Sequence, residues 1–416
     1  MKILIKNIKE LVQVREEGIT PIAGVEMKIL PTIKNAYLAI EDGIIVDYGT
    51  MEEWPGITDW SNLEVIDAEG RMVFPSWVDS HTHIVYAGNR ESEFVDRING
   101  LSYQEIAQRG GGILNSADKL ANASEEELFD AAIQRIDEVI LQGTGAIEIK
   151  SGYGLTLESE LKMLRVIKRL KENTLLPIKS TFLGAHAVPC GMNKEEYVNT
   201  LINNWIPKVA AEGLADYCDV FCESGYFSYE DTVAILEAGT KHGLKPKVHA
   251  NQMSYSGGVQ AGVKCNAISV DHLEYVGDAE IETLTGSTTM PTVLPGAAYF
   301  LSLPEPPARL MIDNGLPLAL ASDFNPGSSP SGNMNFAVSF ACIRLKMTPE
   351  EAINAATLNS AYAMDVINDC GSITRGKLAN IFITKPITSI AFLPYSFGSN
   401  LIEGIILKGK ILKAMN

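Results

Sequence analysis

Two histidines one residue apart, His81-Thr-His83, close the run Met72-Val-Phe-Pro-Ser-Trp-Val-Asp-Ser80. The apolar residues Met72, Val73, Phe74, Trp77 and Val78 read as a buried strand. On an extended segment residues i and i+2 share a face, so both imidazoles aim at one point. Two converging neutral imidazoles are two legs of a zinc-type or iron-type coordination sphere. The competing reading is a strand-end pair satisfied by hydrogen bonds and solvent, and the rest of the chain weakens it. Five of the six histidines (His81, His83, His186, His249 and His272) lie at or just beyond the C-terminal end of a strand-like run. The sixth, His242 in Lys241-His-Gly243, reads as a surface residue in a helix tail, favoured there by the helix dipole. The last run ends in Ala321-Ser-Asp323-Phe-Asn325-Pro-Gly327-Ser328-Ser329, where Asp323 can complete a His-His-His-Asp sphere around one divalent metal. The turn behind it, rich in Gly, Ser and Asn, is expected to expose backbone N–H groups able to cradle a carboxylate.

Such a site needs a scaffold that delivers many strand ends to one face. Apolar runs alternate with helical stretches through the middle of the chain: Met72–Val78, Gly145–Lys150, Pro177–Leu183, Tyr217–Phe221, Pro246–Val248, Ala267–Val270, Thr288–Leu294 and Leu316–Ala321. Eight such units predict an α/β fold, a closed (β/α)8 TIM-type barrel with its site at the C-terminal strand ends. The helices between carry readable starts. Ser228 and Asp231 form a capping-box pattern, and Thr348-Pro-Glu-Glu351 puts a cap, a proline and a glutamate ahead of Ala352–Met364. Over Glu160–Leu170, Met163, Leu164, Val166, Ile167 and Leu170 share one face, and Lys162, Arg165, Lys168 and Arg169 the other.

The two ends read differently. Short strands at Lys2–Ile8, Ala36–Ile40, Ile44–Val46 and Glu64–Asp67, with a hairpin signal at Asp42-Gly43, resemble the tail at Ile381–Thr384, Ile402–Leu407 and Ile411-Leu412. Residues 1–70 and 371–416 are therefore expected to form one small β-sandwich domain beside a barrel of residues 71–370. The connection over residues 84–144 is too long for a simple loop and must carry local structure; Gly110-Gly-Gly112 within it can form a lid.

Lys and Arg number 34 against 51 Asp and Glu, a formal net charge of −17. That balance excludes nucleic acid and anionic membrane as partners, and an anionic substrate needs a local basic pocket. The first residues lack an apolar signal core, and no run of about eighteen apolar residues occurs, so neither signal peptide nor membrane span is expected. The six cysteines show no Cys-x-x-Cys pair, which points to reduced thiols in a cytoplasm; Cys218 and Cys222 read as core residues.

His81-x-His83 after the first strand, His249 after the fifth, His272 after the sixth and Asp323 after the eighth resemble the amidohydrolase superfamily. Within it, Asp79-Ser-His-Thr-His83, Ala87-Gly-Asn-Arg90, Glu148-Ile-Lys-Ser-Gly-Tyr153-Gly, Leu183-Gly-Ala-His186 and Ser322 through Ser329 resemble the imidazolonepropionase family over essentially the whole chain. The resemblance implies a barrel plus a two-ended β-sandwich, a homodimer, and one zinc or iron ion per chain held by His81, His83, His249 and Asp323. It implies that 4-imidazolone-5-propanoate, a small anion, is contacted by Arg90, Tyr153, His186 and Gln252. Asn325, Gly327 and Ser328 match positions that touch the product, N-formimidoyl-L-glutamate. Some relatives carry Glu where this chain has Gln252, so a carboxylate base at that position is not expected here.

The implied reaction is hydrolysis of a cyclic amide-type C–N bond in histidine degradation. Metal binding lowers the pKa of water from about 15.7 toward about 7. Asp323 and His272 are the expected catalytic residues for proton handling, with His272 outside the ligand set and near the oxyanion. Arg90 suits the propanoate bidentately; its alternative is an ion pair with Glu91 or Glu93. Tyr153 and His186 donate or accept hydrogen bonds to carboxylate or ring, or else are core residues with satisfied tips. A carbamylated lysine bridging two metals is not expected, because Lys150 follows the second strand and the fourth offers Glu223 instead. Two other classes compete: a purine- or pyrimidine-type deaminase of the superfamily, and a scaffold protein on the same barrel. The carboxylate-suited set around Arg90 counts against the first, and the intact ligand set against the second.

Overall fold

Runs rich in Ile, Val and Leu build the N-terminal strands. They are β1 (Lys2–Val12), β2 (Thr32–Glu41), β3 (Ile44–Thr50), β4 (Leu63–Asp67) and β5 (Met72–Pro75). The computed structural model describes the chain except residues 17–19, 57–60, 102–104, 107–108 and 415–416. β1 pairs antiparallel with β2 and parallel with β4 and β5. The β2–β3 turn is Asp42-Gly43, with φ of 48° and 85°, the left-handed pair that a tight hairpin requires.

The expected single strand Met72–Val78 is two strands in two sheets. Ser76 N–H donates to Asn380 O, and the next amide, Trp77 N–H, donates to Gly143 O, so the chain changes sheet between adjacent residues. Pro75, which has no N–H to give a ladder, is the last residue of β5. The ring of Phe382 packs across this junction, its centroid 5.1 Å from Phe74 and 5.0 Å from Trp77.

The second sheet contains eight strands in sequence order, with parallel neighbours: β6 (Trp77–Asp79), β7 (Thr144–Lys150), β8 (Ile178–Ala185), β9 (Tyr217–Cys222), β10 (Lys245–Ala250), β11 (Ser269–His272), β12 (Met290–Val293) and β13 (Ala319–Leu320). The barrel closes just beyond the last strand, in the residues of the expected site. Asp323 N–H donates to His81 O at 3.0 Å, and His83 N–H donates to Phe324 O at 2.9 Å. Tail strands β14 (Ile381–Thr384), β15 (Ile402–Leu407) and β16 (Lys410–Lys413) extend the first sheet, β14 pairing with β5. A sheet built from both chain ends thus stands beside the barrel, its own core formed by Ile3, Ile5, Ile8, Leu38, Val73, Ile381 and Ile406.

The helix signals hold in the structure. Ser228 and Asp231 cap Tyr229–Lys241 reciprocally, as Thr348 and Glu351 cap Pro349–Asn354. Leu157–Asn173 buries Met163, Leu164, Val166, Ile167 and Leu170. The long first connection carries helices Glu91–Ile98, Ile113–Asn122 and Glu125–Leu141.

Candidate metal centre

His81 and His83 follow β6, His249 lies in β10, His272 ends β11 and Asp323 follows β13; all five are buried. Neighbouring carboxylates set the imidazoles. His81 Nδ1–H donates to Asp271 Oδ2 at 2.7 Å, which leaves His81 Nε2 buried without a hydrogen-bond partner. His249 Nδ1 lies 3.0 Å from Asp219 Oδ2, and its Nε2 lies 3.4 Å from Nε2 of His83. Asp323 Oδ1 stands 3.6 Å from His81 Nε2 and 3.7 Å from His83 Nε2.

One donor atom each from His81, His83 and His249 falls within 4.8 Å of the others, and the same holds for His81, His272 and Asp323. An orphaned imidazole nitrogen, two facing ring nitrogens and a carboxylate in one buried spot fit a zinc or iron ion. The carboxylates behind them are the usual orienting partners of ligand histidines. Burial, then nearby positive charge, holds His81 and His83 well below the ordinary imidazole range, in the neutral form a ligand needs.

Beneath these carboxylates lies a charge network in which Lys150 has the structural, electrostatic place its sequence position suggested, and whose other members sequence reasoning missed. Lys150 Nζ, fully buried, lies 2.9 Å from Glu148 Oε1 and 2.8 Å from Asp219 Oδ2. Lys247 Nζ, equally buried, donates to Ser80 O and Ala363 O at 3.2 Å and stands 3.8 Å from Asp271 Oδ2. Burial alone would push the Asp219 carboxyl up, but His249 and Lys150 hold it well below the usual range. Charged residues inside otherwise apolar parallel strands, as in Gly145-Ala-Ile-Glu-Ile-Lys150, were the available signal.

A cavity of about 470 Å³ opens over the centre and reaches Arg90, Tyr153, His186, Gln252, His272, Asn325, Gly327 and Ser328. Arg90 borders the cavity, and its Nη2 lies 2.6 Å from Glu93 Oε2, the ion pair expected as its alternative role. A Cβ on Gly327 would stand 2.0 Å from Arg90 Nη1, so that glycine admits the guanidinium. Tyr153 is buried, its ring 5.8 Å from that of His83 and 5.4 Å from that of His186. His186 Nδ1–H donates to Gly152 O at 2.9 Å, and burial pushes its pKa down to about 3, so the ring is neutral with Nε2 as acceptor. Beside Gln252, Met253 N–H donates to Glu223 Oε2 at 2.8 Å and Ser254 donates to Oε1.

The turn after Asp323 differs from expectation. Gly327 N–H and Ser328 N–H both donate to Asn325 Oδ1 at 2.8 Å, so these amides close their own turn instead of standing open to a carboxylate. An asparagine two and three residues upstream competes for them locally. One further carboxylate was not anticipated, and Glu93 has partners besides Arg90. Glu274, buried, has Oε1 3.6 Å from His272 Nδ1. Glu93 accepts from Gly112 N–H at 3.2 Å and Asn115 Nδ2 at 2.9 Å, which ties Gly112 down.

The profile of the amidohydrolase family matches residues 72–412. An imidazolonepropionase of Flavobacterium johnsoniae is 61% identical over 411 residues, 98% of this chain and 99% of that protein. One from Christiangramia forsetii is 60% identical over 414 residues, 99% and 100% of the two chains. One from Thermoanaerobacter pseudethanolicus is 40% identical over 406 residues, 97% and 96% of the two. Among solved structures, a triazine hydrolase variant matches with a TM-score of 0.72 at 13% identity, over 99% of this chain and 94% of the other. The guanine deaminase of E. coli matches with a TM-score of 0.70 at 13% identity, over 100% of both. At that identity the likeness is one of fold.

Proposed function

The chain belongs to the amidohydrolase family, among its imidazolonepropionases, and from that premise we propose how its residues divide the work. The enzyme is a hydrolase that opens the ring of 4-imidazolone-5-propanoate in histidine degradation. A deaminase reading is not favoured, because relatives with the imidazolonepropionase name match nearly the full chain.

His81, His83, His249 and Asp323 hold one zinc or iron ion. The observation that carries this reading is His81 Nε2, buried without a partner and facing Asp323 Oδ1 at 3.6 Å. A divalent ion held there supplies Lewis acidity, which acidifies water and polarises a carbonyl. The remaining tasks belong to side chains. Arg90, its charge otherwise met by Glu93, receives the propanoate and supplies the local positive charge that a chain of net charge −17 needs. Tyr153 and neutral His186 hydrogen-bond the substrate, and Gln252 orients the ring. Asn325, Gly327 and Ser328 border the product's place.

Water adds to the ring carbonyl carbon, the C–N bond breaks, and the departing nitrogen takes a proton. Asp323 can take the water's proton. His272 turns Nδ1 toward Glu274, which leaves its other ring nitrogen for proton transfer or for the oxyanion at the former carbonyl. Burial alone would lower the His272 pKa, but Glu274 and the other carboxylates carry it upward. The same reading assigns a homodimer in the cytoplasm; six unpaired cysteines support a reducing compartment. Among the described residues no helix is long and apolar enough to cross a membrane. The test is metal content measured with ultraviolet loss of the imidazolone; a metal-free chain with full turnover overturns the reading.

A further inference from the structure

We propose that Glu160 is a positioning residue that sets Tyr153 and His186 together; the proposal rests on the assignment of those two as substrate contacts. Glu160 lies in the first turn of helix Leu157–Asn173, where acidic side chains ordinarily face solvent and the helix dipole. Here it is fully buried and points back under the loop after β7. Its Oε2 accepts from Gly152 N–H at 3.0 Å, and its Oε1 accepts from Gly154 N–H at 2.7 Å and Leu155 N–H at 3.2 Å. Tyr153 lies between these anchored amides.

The loop adopts a shape that the backbone does not favour unaided. Gly152 has φ of 112°, and Leu155, a bulky residue, has φ of 53°. A Cβ on Gly152 would lie 2.9 Å from His186 Nδ1, and one on Gly154 would lie 2.4 Å from Glu160 N. Gly152 also links the two contacts. Its N–H donates to Glu160 while its carbonyl accepts from His186 Nδ1–H at 2.9 Å. One carboxylate therefore fixes the backbone on both sides of Tyr153 and the acceptor that sets the His186 tautomer. A carboxylate has only acceptors, with room for all three amides, whereas a glutamine would turn a donor toward one of them. Glu160 does not border the cavity, so it acts through the other two.

The test is Glu160→Gln, compared with Tyr153→Phe/His186→Ala and with the triple variant. In Glu160→Gln we expect KM to rise roughly 10-fold or more and kcat to fall no more than about 3-fold, because substrate contacts are displaced while the metal residues stay. Metal content should be unchanged, and the Nδ1–H nitrogen-15 signal of His186, assigned by its loss in His186→Ala, should shift. Adding Glu160→Gln to the double variant should change KM by less than about 2-fold, since the contacts it positions are already gone. A fully multiplicative effect in the triple variant, or an unaltered His186 signal together with unaltered KM in Glu160→Gln, overturns the proposal. If Tyr153→Phe/His186→Ala itself leaves KM unchanged, the substrate assignment falls, and the His186 signal alone then decides for or against Glu160. Should Glu160→Gln fail to fold, Glu160→Asp, which keeps the charge but withdraws it, carries the same comparisons.

Discussion

Lys150 Nζ lies 2.8 Å from Asp219 Oδ2, and the same oxygen lies 3.0 Å from Nδ1 of His249. The lysine is thus one residue removed from the metal centre and acts on it through a carboxylate. Burial would lower its pKa, but Asp219, Glu148 and Asp271 more than offset that, so it stays an ammonium. A charged, fully paired amine is a poor nucleophile for carbon dioxide, and a carbamate there would face Glu148 and Asp219. The intact protein should show no carboxyl adduct on Lys150 and bind one ion per chain. Two ions, or a modified Lys150, would sink this reading. Lys150→Met strands buried carboxylates, so it should lower stability by about 3–5 kcal/mol in denaturant melts. It should also weaken metal binding by roughly 10- to 100-fold through the loosened His249.

Metal removal should expose what the ion contributes. Chelation should abolish turnover and lower the melting temperature, because His81 Nε2 and Asp323 are left buried without their partner. At free metal about 1,000 times Kd, the folded state gains about 4 kcal/mol by mass action. Adding back zinc or iron should restore activity at one ion per chain. An apoenzyme that melts where the holoenzyme does would argue against a site built from these four residues.

Arg90 and Glu93 form a buried pair that can be read separately from the chemistry. Arg90→Met should cut kcat/KM roughly 30-fold or more while metal content holds, since a buried charged contact is worth about 2–5 kcal/mol. It also strands Glu93, so stability should fall; adding Glu93→Gln should recover stability but not kcat/KM. Burial would raise the Glu93 carboxyl pKa, but Arg90, Asn115 and Gly112 N–H hold it below the ordinary range. A depressed carboxylate contributes stability above its unfolded pKa and loses it as pH falls through the folded one. The stability gap between wild type and Glu93→Gln should therefore be full above about pH 5 and close below about pH 4. A gap that widens in acid would reverse the assigned sign.

The histidines and Asp323 were legible because their cue is local: an i, i+2 pair, and strand ends that a barrel must bring to one face. The capping pairs Ser228–Asp231 and Thr348–Glu351 were legible for the same reason. Asp219 beneath His249 depends on the pairing of β9 with β10, in which His249 stands opposite Phe221, two residues on from Asp219; nothing local states that register. Glu160 carried no signal of its own, because its burial follows from the left-handed loop before it. The split of Met72–Val78 was hidden because both halves are equally apolar, and only Asn380 and Gly143, far along the chain, divide them.

The division of labour between His272 and Gln252 is the sharpest remaining question. Gln252 has no useful basicity; it can orient the ring but cannot take a proton from water. Its loop is pinned by Glu223 through Met253 and Ser254, so trimming the side chain should leave the backbone in place. His272 is buried beside Asp323 and His81, with φ of 91° and Nδ1 turned to Glu274. Asp323 is also a ligand, so its removal confounds metal loss with loss of a base; His272 avoids that confusion if it stays outside the ligand set. His272→Ala should keep the metal and lose roughly 10²–10⁴ in kcat, the range for a general acid–base or an oxyanion partner. Gln252→Ala should act mainly on KM. Metal content must be measured in both. If His272→Ala sheds the ion, His272 is a ligand; if Gln252→Ala loses turnover as severely while both stay metallated, the roles assigned to the two are wrong.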